Sequence, residues 1–394
     1  MVKRKDKAET SPIAESVLKV VAEEVAPKGE STSGELLLST GLTLLNLACS
    51  DSRKGGWATG KVVNVVGDSS TGKTFLCMGV AAEAANDSRF DKHTIVFDDI
   101  EQSCEFDIEK LFGSKLAKRI QAPRQVDGED CCSETIQELY DHVTDFLDNG
   151  KPVIYIVDSF DALTTKEELA FEEAAKEQRR KKENAKPKKE KVEDGPEGAP
   201  EKKEKVKGTY GMEKAKYASR IFRMLTAKLK KTKSILIIIS QIRDNIDPGT
   251  HKKHTRAGGK ALQFYCSHVM WLAGLGQIKK TVRGMKVSIG GDVLIEVTKN
   301  KLTGKRRDVA FPIYYDYGID DIGSCIDFLC EADEWKVRDG KIVSSSLELE
   351  SKTLTNAIRE VEDKGLVARL HRETESVWKD IEDKLKLNRK AKYE

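Results

Sequence analysis

Eight residues restrict the fold of this chain more than any others. Gly67-Asp68-Ser69-Ser70-Thr71-Gly72-Lys73-Thr74 fits the pattern GxxxxGK[ST]. It directly follows a β-branched run, Val62–Val66, and directly precedes a helical stretch, Phe75–Ala85. Strand, glycine loop and helix in that order make a phosphate-binding loop. The glycines let backbone N–H groups wrap a β-phosphate, and the helix amino terminus adds partial positive charge. Lys73 is then expected to reach the β- and γ-phosphates of ATP, and Thr74 to hold Mg²⁺.

Further apolar runs follow at Thr94–Phe97, Val153–Val157, Ile235–Ile239, His268–Leu272 and Val293–Val297, separated by helical stretches. Such alternation predicts an α/β fold with a largely parallel sheet covered on both faces. Two strand ends carry acids. Asp158 closes the run Val153–Val157, where ligands bind in open α/β sheets, and can accept from a Mg²⁺-bound water. Asp98-Asp99-Ile100-Glu101 closes the run Thr94–Phe97. ATP hydrolysis needs a carboxylate to orient and deprotonate water, and the pattern alone does not choose among these three acids.

Charged residues make up 34% of the 394 residues, above the usual share of about 25%. Much of the excess lies in Lys166–Lys207, where basic and acidic residues nearly balance and Pro187, Pro196 and Pro200 intervene. The middle of that insertion is expected to be disordered, with a helix over Lys166–Asn184. The net charge is only +3, so nucleic-acid binding must rest on local patches. No apolar run approaches a membrane span. Lys3, Arg4, Lys5 and Lys7 are not followed by the apolar stretch of a signal peptide. Eight scattered cysteines without metal-ligand spacing read as free thiols of a soluble intracellular protein.

Arg243, His251, Lys252, Lys253, His254 and Arg256 make Ile242–Ala257 a basic loop, a credible nucleic-acid contact through phosphate neutralisation. It has no aromatic residue for base stacking. Lys279, Lys280, Arg283 and Lys286 are expected as solvated surface on a hairpin. His251 and His254 have no companions for a zinc site. Trp57, Trp271, Trp335 and Trp378 are expected to pack.

These motifs resemble the bacterial RecA recombinase family from Ser39 to about Leu387. Ser39-Thr40-Gly41 stands ahead of the phosphate loop as it does there. Phe97-Asp98-Asp99-Ile100-Glu101 is similar to the family segment whose glutamate activates water, which singles out Glu101. Val157-Asp158-Ser159 resembles the Walker-B stretch. Ser240-Gln241-Ile242-Arg243 resembles the segment in which Gln241 would sense the γ-phosphate and open the second DNA-binding loop. Ala257-Gly258-Gly259-Lys260 would close that loop, giving Arg243, Lys252, Lys253, Arg256, Gly258 and Gly259 as DNA contacts and Phe264 as an interface aromatic. Lys299 and Lys301 match lysines that reach the neighbouring subunit's nucleotide. Gly318-Ile319 and Ala332-Asp333-Glu334-Trp335 resemble the carboxyl-terminal domain.

The chain departs from the family at Ser240, where Asn is usual, and in the adenine-stacking region after Glu101. The insertion at Lys166–Lys207 falls where the family has its first DNA-binding loop, and the tail Asn388–Glu394 is basic. These departures suit a diverged, phage-encoded member acting in a bacterial host cytoplasm. The resemblance implies a RecA-like ATPase core over 36–320, a short amino-terminal helical arm over 1–35 and a small domain with a basic tail over 321–394. It implies an ATP- and Mg²⁺-dependent, DNA-dependent ATPase forming helical filaments on single-stranded DNA, with double-stranded DNA as second substrate. A single-strand-binding protein or loading mediator would be a partner. The alternatives are a ring-forming helicase or DNA motor, a small-molecule P-loop kinase and a non-hydrolysing accessory.

Overall fold

The computed structural model describes residues 36–184, 210–244, 254–256, 259–338 and 340–390. The expected arm over 1–35 lies outside the described residues, as does 185–209 of the insertion. Ten strands form the main sheet. In chain order they are β1 (Lys61–Gly67), β2 (Thr94–Asp99), β3 (Ile120–Gln121), β4 (Val153–Asp158) and β5 (Ile235–Asp244). Then come β6 (His254–Arg256), β7 (His268–Val282), β8 (Met285–Asn300), β9 (Asp308–Tyr314) and β10 (Gly318–Ile319). The principal helices are α1 (Thr43–Ser50), α2 (Lys73–Asn86), α3 (Ile136–Asp148), α4 (Lys166–Asn184) and α5 (Tyr210–Thr232). They continue with α6 (Gly259–Tyr265), α7 (Asp321–Glu331), α8 (Leu354–Asp363) and α9 (Val367–Lys384).

The spatial order is β10–β9–β8–β7–β1–β5–β4–β2–β3, with β6 beside β5. From β3 across to β7 every pairing in that order is parallel. Side chains alternate between two apolar layers. Val63, Val65, Ile237 and Ile239 face α1 and α2, and Val62, Val66, Leu236 and Ile238 face α3 and α5. Burial on both faces explains why these strands read as unbroken apolar runs. The fold is therefore the expected α/β class with a mostly parallel sheet.

One wing differs from a purely parallel reading. β7 and β8 pair antiparallel, with Val282 opposite Met285, so only Arg283 and Gly284 connect them. Both connecting residues have positive φ, 48° and 80°, as a two-residue hairpin turn requires. A parallel return would need a crossover of about a dozen residues or more. The cations Lys279, Lys280, Arg283 and Lys286 are exposed along this hairpin.

The helix expected over Lys166–Asn184 is present as α4. Beyond β10, a third apolar cluster gathers Ile326, Leu329, Trp335, Leu349, Val361 and Leu370. It includes a small antiparallel sheet of β11 (Lys336–Arg338), β12 (Lys341–Ser344) and β13 (Leu349–Ser351), which sequence reading missed because such short strands carry almost no periodicity. Trp57, Trp335 and Trp378 are buried, and Trp271, on β7, packs against the apolar layer that faces α3 and α5. None of the described helices is long and apolar enough to cross a membrane. None of the eight cysteines is in a disulfide.

Ion pairs fasten α9 to the sheet. Glu382 accepts from Arg307 Nη2 at 2.8 Å and lies 3.0 Å from Lys305, which also reaches Asp51. The Arg307 hydrogen bonds, joined by Lys305, pull the Glu382 carboxyl down from 4.5 to about 2. A carboxyl depressed by folding stabilises above its unfolded pKa and loses that contribution as pH falls through the folded one. The contribution is about 1–3 kcal/mol, given partners that are partly solvent-screened. Glu382→Gln should therefore lower Tm at pH 7 and flatten the loss of stability between about pH 5 and 2. An acid limb identical to the parent protein's would show that the pair contributes nothing.

Candidate nucleotide-binding site

The phosphate loop is built by close approach. A Cβ at Gly67 would lie 2.7 Å from Thr71 Oγ1 and 2.8 Å from the Leu272 carbonyl, so only glycine fits. Gly72 has φ 84° and leads directly into α2, a conformation that side chains resist. Asp68, Ser69 and Ser70 are exposed at the loop tip, whereas Thr71 and Lys73 are buried. Lys73 Nζ donates to the Asp68 carbonyl at 2.5 Å, and Thr71 Oγ1 donates to the same oxygen at 2.8 Å. Burial lowers the Lys73 pKa, against the pull of Asp158, Glu101 and Asp68.

Register brings the other groups to the same sheet edge. Gly67 pairs with Gln241 across β1 and β5, and Asp158 pairs with Asp99 across β4 and β2. Thr74 Oγ1 donates to Asp158 Oδ2 at 2.5 Å. Asp158 is 7% exposed, and burial, together with the negative charges of Glu101 and Asp99, raises its pKa to about 6. Lys73 and the Thr74 hydroxyl offset part of that rise. A hydroxyl and a buried carboxylate crowded by other acids form an oxygen-donor set that suits Mg²⁺.

The three acids after β2 separate by environment. Asp98 is fully buried and accepts from Ser133 N, Ser133 Oγ and Tyr155 Oη at 2.8, 2.6 and 2.7 Å. Asp99 accepts from the backbone N–H groups of Ser103 and Cys104 at 3.3 and 3.0 Å. Glu101 is exposed at the sheet edge and accepts from Gln241 Nε2 at 2.7 Å and from Ser159 Oγ. Its backbone N–H donates to the Asp158 carbonyl at 3.3 Å, which holds the segment against β4.

Gln241 is fixed from two directions. Its backbone N–H donates to Asp161 Oδ2 at 2.8 Å. The preceding Ser240, buried in the sheet, accepts from Asn64 Nδ2 at 2.9 Å. Sequence reading assigned no role to Ser159, Asp161 or Asn64; only their positions beside acid and phosphate-loop strands hinted at one.

The expected basic loop is paired at its ends. Arg243 lies opposite Thr255, and Arg256 opposite Ile242, in an antiparallel β5–β6 pair. Lys252, Lys253 and Gly258 lie outside the described residues, and Gly259 begins α6. A separate cluster forms where α6 meets the end of β8. Phe264 is 68% exposed. Lys301 Nζ donates to the Phe264 carbonyl at 3.0 Å and lies 5.7 Å from its ring centroid. Lys299 donates to the carbonyls of Gln263 and Phe264. The expected interface aromatic and lysine pair thus share one surface.

Comparison with known proteins finds similarity to RecA proteins. The family model for the RecA N-terminal domain matches residues 201–320, a span that holds Gln241, Phe264, Lys299 and Lys301. The chain is 27% identical to Protein RecA of Fusobacterium nucleatum over 273 residues, 69% of this chain and 59% of that protein. It is 26% identical to Protein RecA of Colwellia psychrerythraea over 324 residues, 82% of this chain and 79% of that protein. The α/β sheet with its phosphate loop, together with these matches, supports a RecA-family protein.

Proposed function

We propose that the protein is an ATP-dependent recombinase that assembles as helical filaments on single-stranded DNA and exchanges strands with double-stranded DNA. The observation that carries this reading is the Glu101–Gln241 hydrogen bond at 2.7 Å. It links the exposed acid past the end of β2 to the strand that runs on to Arg243 and the basic loop. In this reading Lys73 binds the β- and γ-phosphates, and Glu101 orients water and takes its proton. Gln241 couples the γ-phosphate to β5 and hence to Arg243, Lys252, Lys253, Arg256, Gly258 and Gly259. Thr74 would hold Mg²⁺ directly and Asp158 through water; the ion, when bound, neutralises charge developing on the phosphates.

Lys299 and Lys301 reach a neighbouring subunit's nucleotide, with Phe264 packing at the same interface. ATP bound between subunits then stabilises only the assembled state. The protein works in the cytoplasm, with a single-strand-binding protein or loading mediator as partner. Negative-stain imaging with single-stranded DNA and a slowly hydrolysed ATP analogue should show helical filaments. Closed rings, or particles indifferent to DNA and nucleotide, would overturn the reading.

Lys299→Ala combined with Lys301→Ala should leave folding and basal nucleotide binding near those of the parent. Assembly and DNA-stimulated hydrolysis should fall together. Mixing that variant with Lys73→Ala protein creates some interfaces with both halves intact, so part of the activity should return. Absence of rescue would mean the lysines act within their own chain.

A further inference from the structure

Away from the nucleotide site, three donor-bearing side chains from two helices converge. Asp321 and Cys325 stand one turn apart on α7, and His371 projects from α9. One donor atom of each lies within 4.8 Å of the others. His371 Nε2 is 3.0 Å from Asp321 Oδ2, and Cys325 Sγ is 3.9 Å from Asp321 Oδ1. Tetrahedral coordination with Zn–N and Zn–O of about 2.1 Å and Zn–S of about 2.3 Å places neighbouring donors about 3.3–3.6 Å apart. The two separations, measured to the two oxygens of the Asp321 carboxylate, lie either side of that spacing. We propose that Asp321, Cys325 and His371 form a binding site for Zn²⁺ or a similar borderline-soft divalent cation, tying α9 to α7.

Three observations support the site. Despite its approach to Asp321, the buried Nε2 of His371 has no hydrogen-bond partner among the described residues. The Asp321 carboxylate is already oriented, accepting from Thr43 N at 2.6 Å and Thr43 Oγ1 at 2.8 Å, the outer support that ligating carboxylates use. The third observation is the mix of donors, one carboxylate, one thiol and one imidazole. Besides Asp321, no acid is among the three donors that meet there, so the site takes its oxygen from a single carboxylate. A sulfur, nitrogen and oxygen donor set selects Zn²⁺ over Mg²⁺ or Ca²⁺. Thr43 begins α1, so the ion would also couple the carboxyl-terminal helices to the core.

Binding replaces the Cys325 S–H bond with a sulfur–metal bond and releases the proton to solvent. Because the thiol must give up its proton to ligate, affinity should weaken as pH falls. The test uses the full chain without nucleotide, in excess Mg²⁺, titrated with Co²⁺. The parent protein should show a sulfur-to-cobalt charge-transfer band that Zn²⁺ removes by displacement, and Zn²⁺ should raise Tm. Cys325→Ser should lose the band, whereas Cys330→Ser should keep it. His371→Gln should weaken Co²⁺ affinity by at least about tenfold. Absence of a band in the parent, or a band surviving Cys325→Ser, would overturn the proposal. Should Cys325→Ser fail to fold, unchanged affinity in His371→Gln would overturn it as well.

Discussion

Lys73→Ala is expected to remove ATP hydrolysis almost completely, with kcat lower by about a hundredfold to a thousandfold and nucleotide binding weakened as well. Lys73 is 7% exposed and its ammonium donates to the Asp68 carbonyl within the loop, so its charge acts where solvent screening is weak. Burial already disfavours the charged lysine, and its removal should leave Tm unchanged or slightly higher. Nucleotide-dependent DNA binding should disappear with hydrolysis. Steady-state ATPase assays and salt-controlled fluorescence anisotropy would measure both losses. Turnover near that of the parent protein would sink the phosphate-loop assignment.

Glu101→Gln should separate chemistry from assembly. Glutamine preserves the shape of the side chain but cannot take a proton, so hydrolysis should slow by about a hundredfold or more. ATP binding and filaments on DNA should persist. Asp98→Asn should behave differently. The Asp98 carboxylate accepts three hydrogen bonds from Ser133 and Tyr155 in the core, and breaking part of that network should cost about 1–3 kcal/mol of stability. Turnover per folded molecule should change little. If Asp98→Asn abolishes turnover while Glu101→Gln does not, the water-activating role belongs to the other acid.

Much of the site was legible because its signals are local. A β-branched run, eight residues with two glycines and a lysine, and a following helix are contiguous. So is Asp158 at the end of a run buried on both faces. The short strands after Trp335 were invisible because three or four residues carry no usable period. The antiparallel wing depended on the two-residue turn at Arg283 and Gly284.

The amino-acid sequence alone determined that this chain holds a phosphate loop on a mostly parallel sheet, with an acid cluster and a late lysine pair in order behind it. Contiguous apolar pattern and glycine spacing suffice for the loop, the sheet and the acids at its strand ends, whereas the lysine pair came from the family resemblance alone. Only the tertiary structure decided how Asp98, Asp99 and Glu101 divide. Asp98 turns into the core toward Ser133 and Tyr155, Asp99 binds the backbone that follows it, and Glu101 stands past the strand end facing Gln241. Only packing of α7 against α9 could bring Cys325, His371 and Asp321 together. Such contacts are made between segments distant in the chain, and hydrophobic period records which face of an element is buried, not which partner it meets.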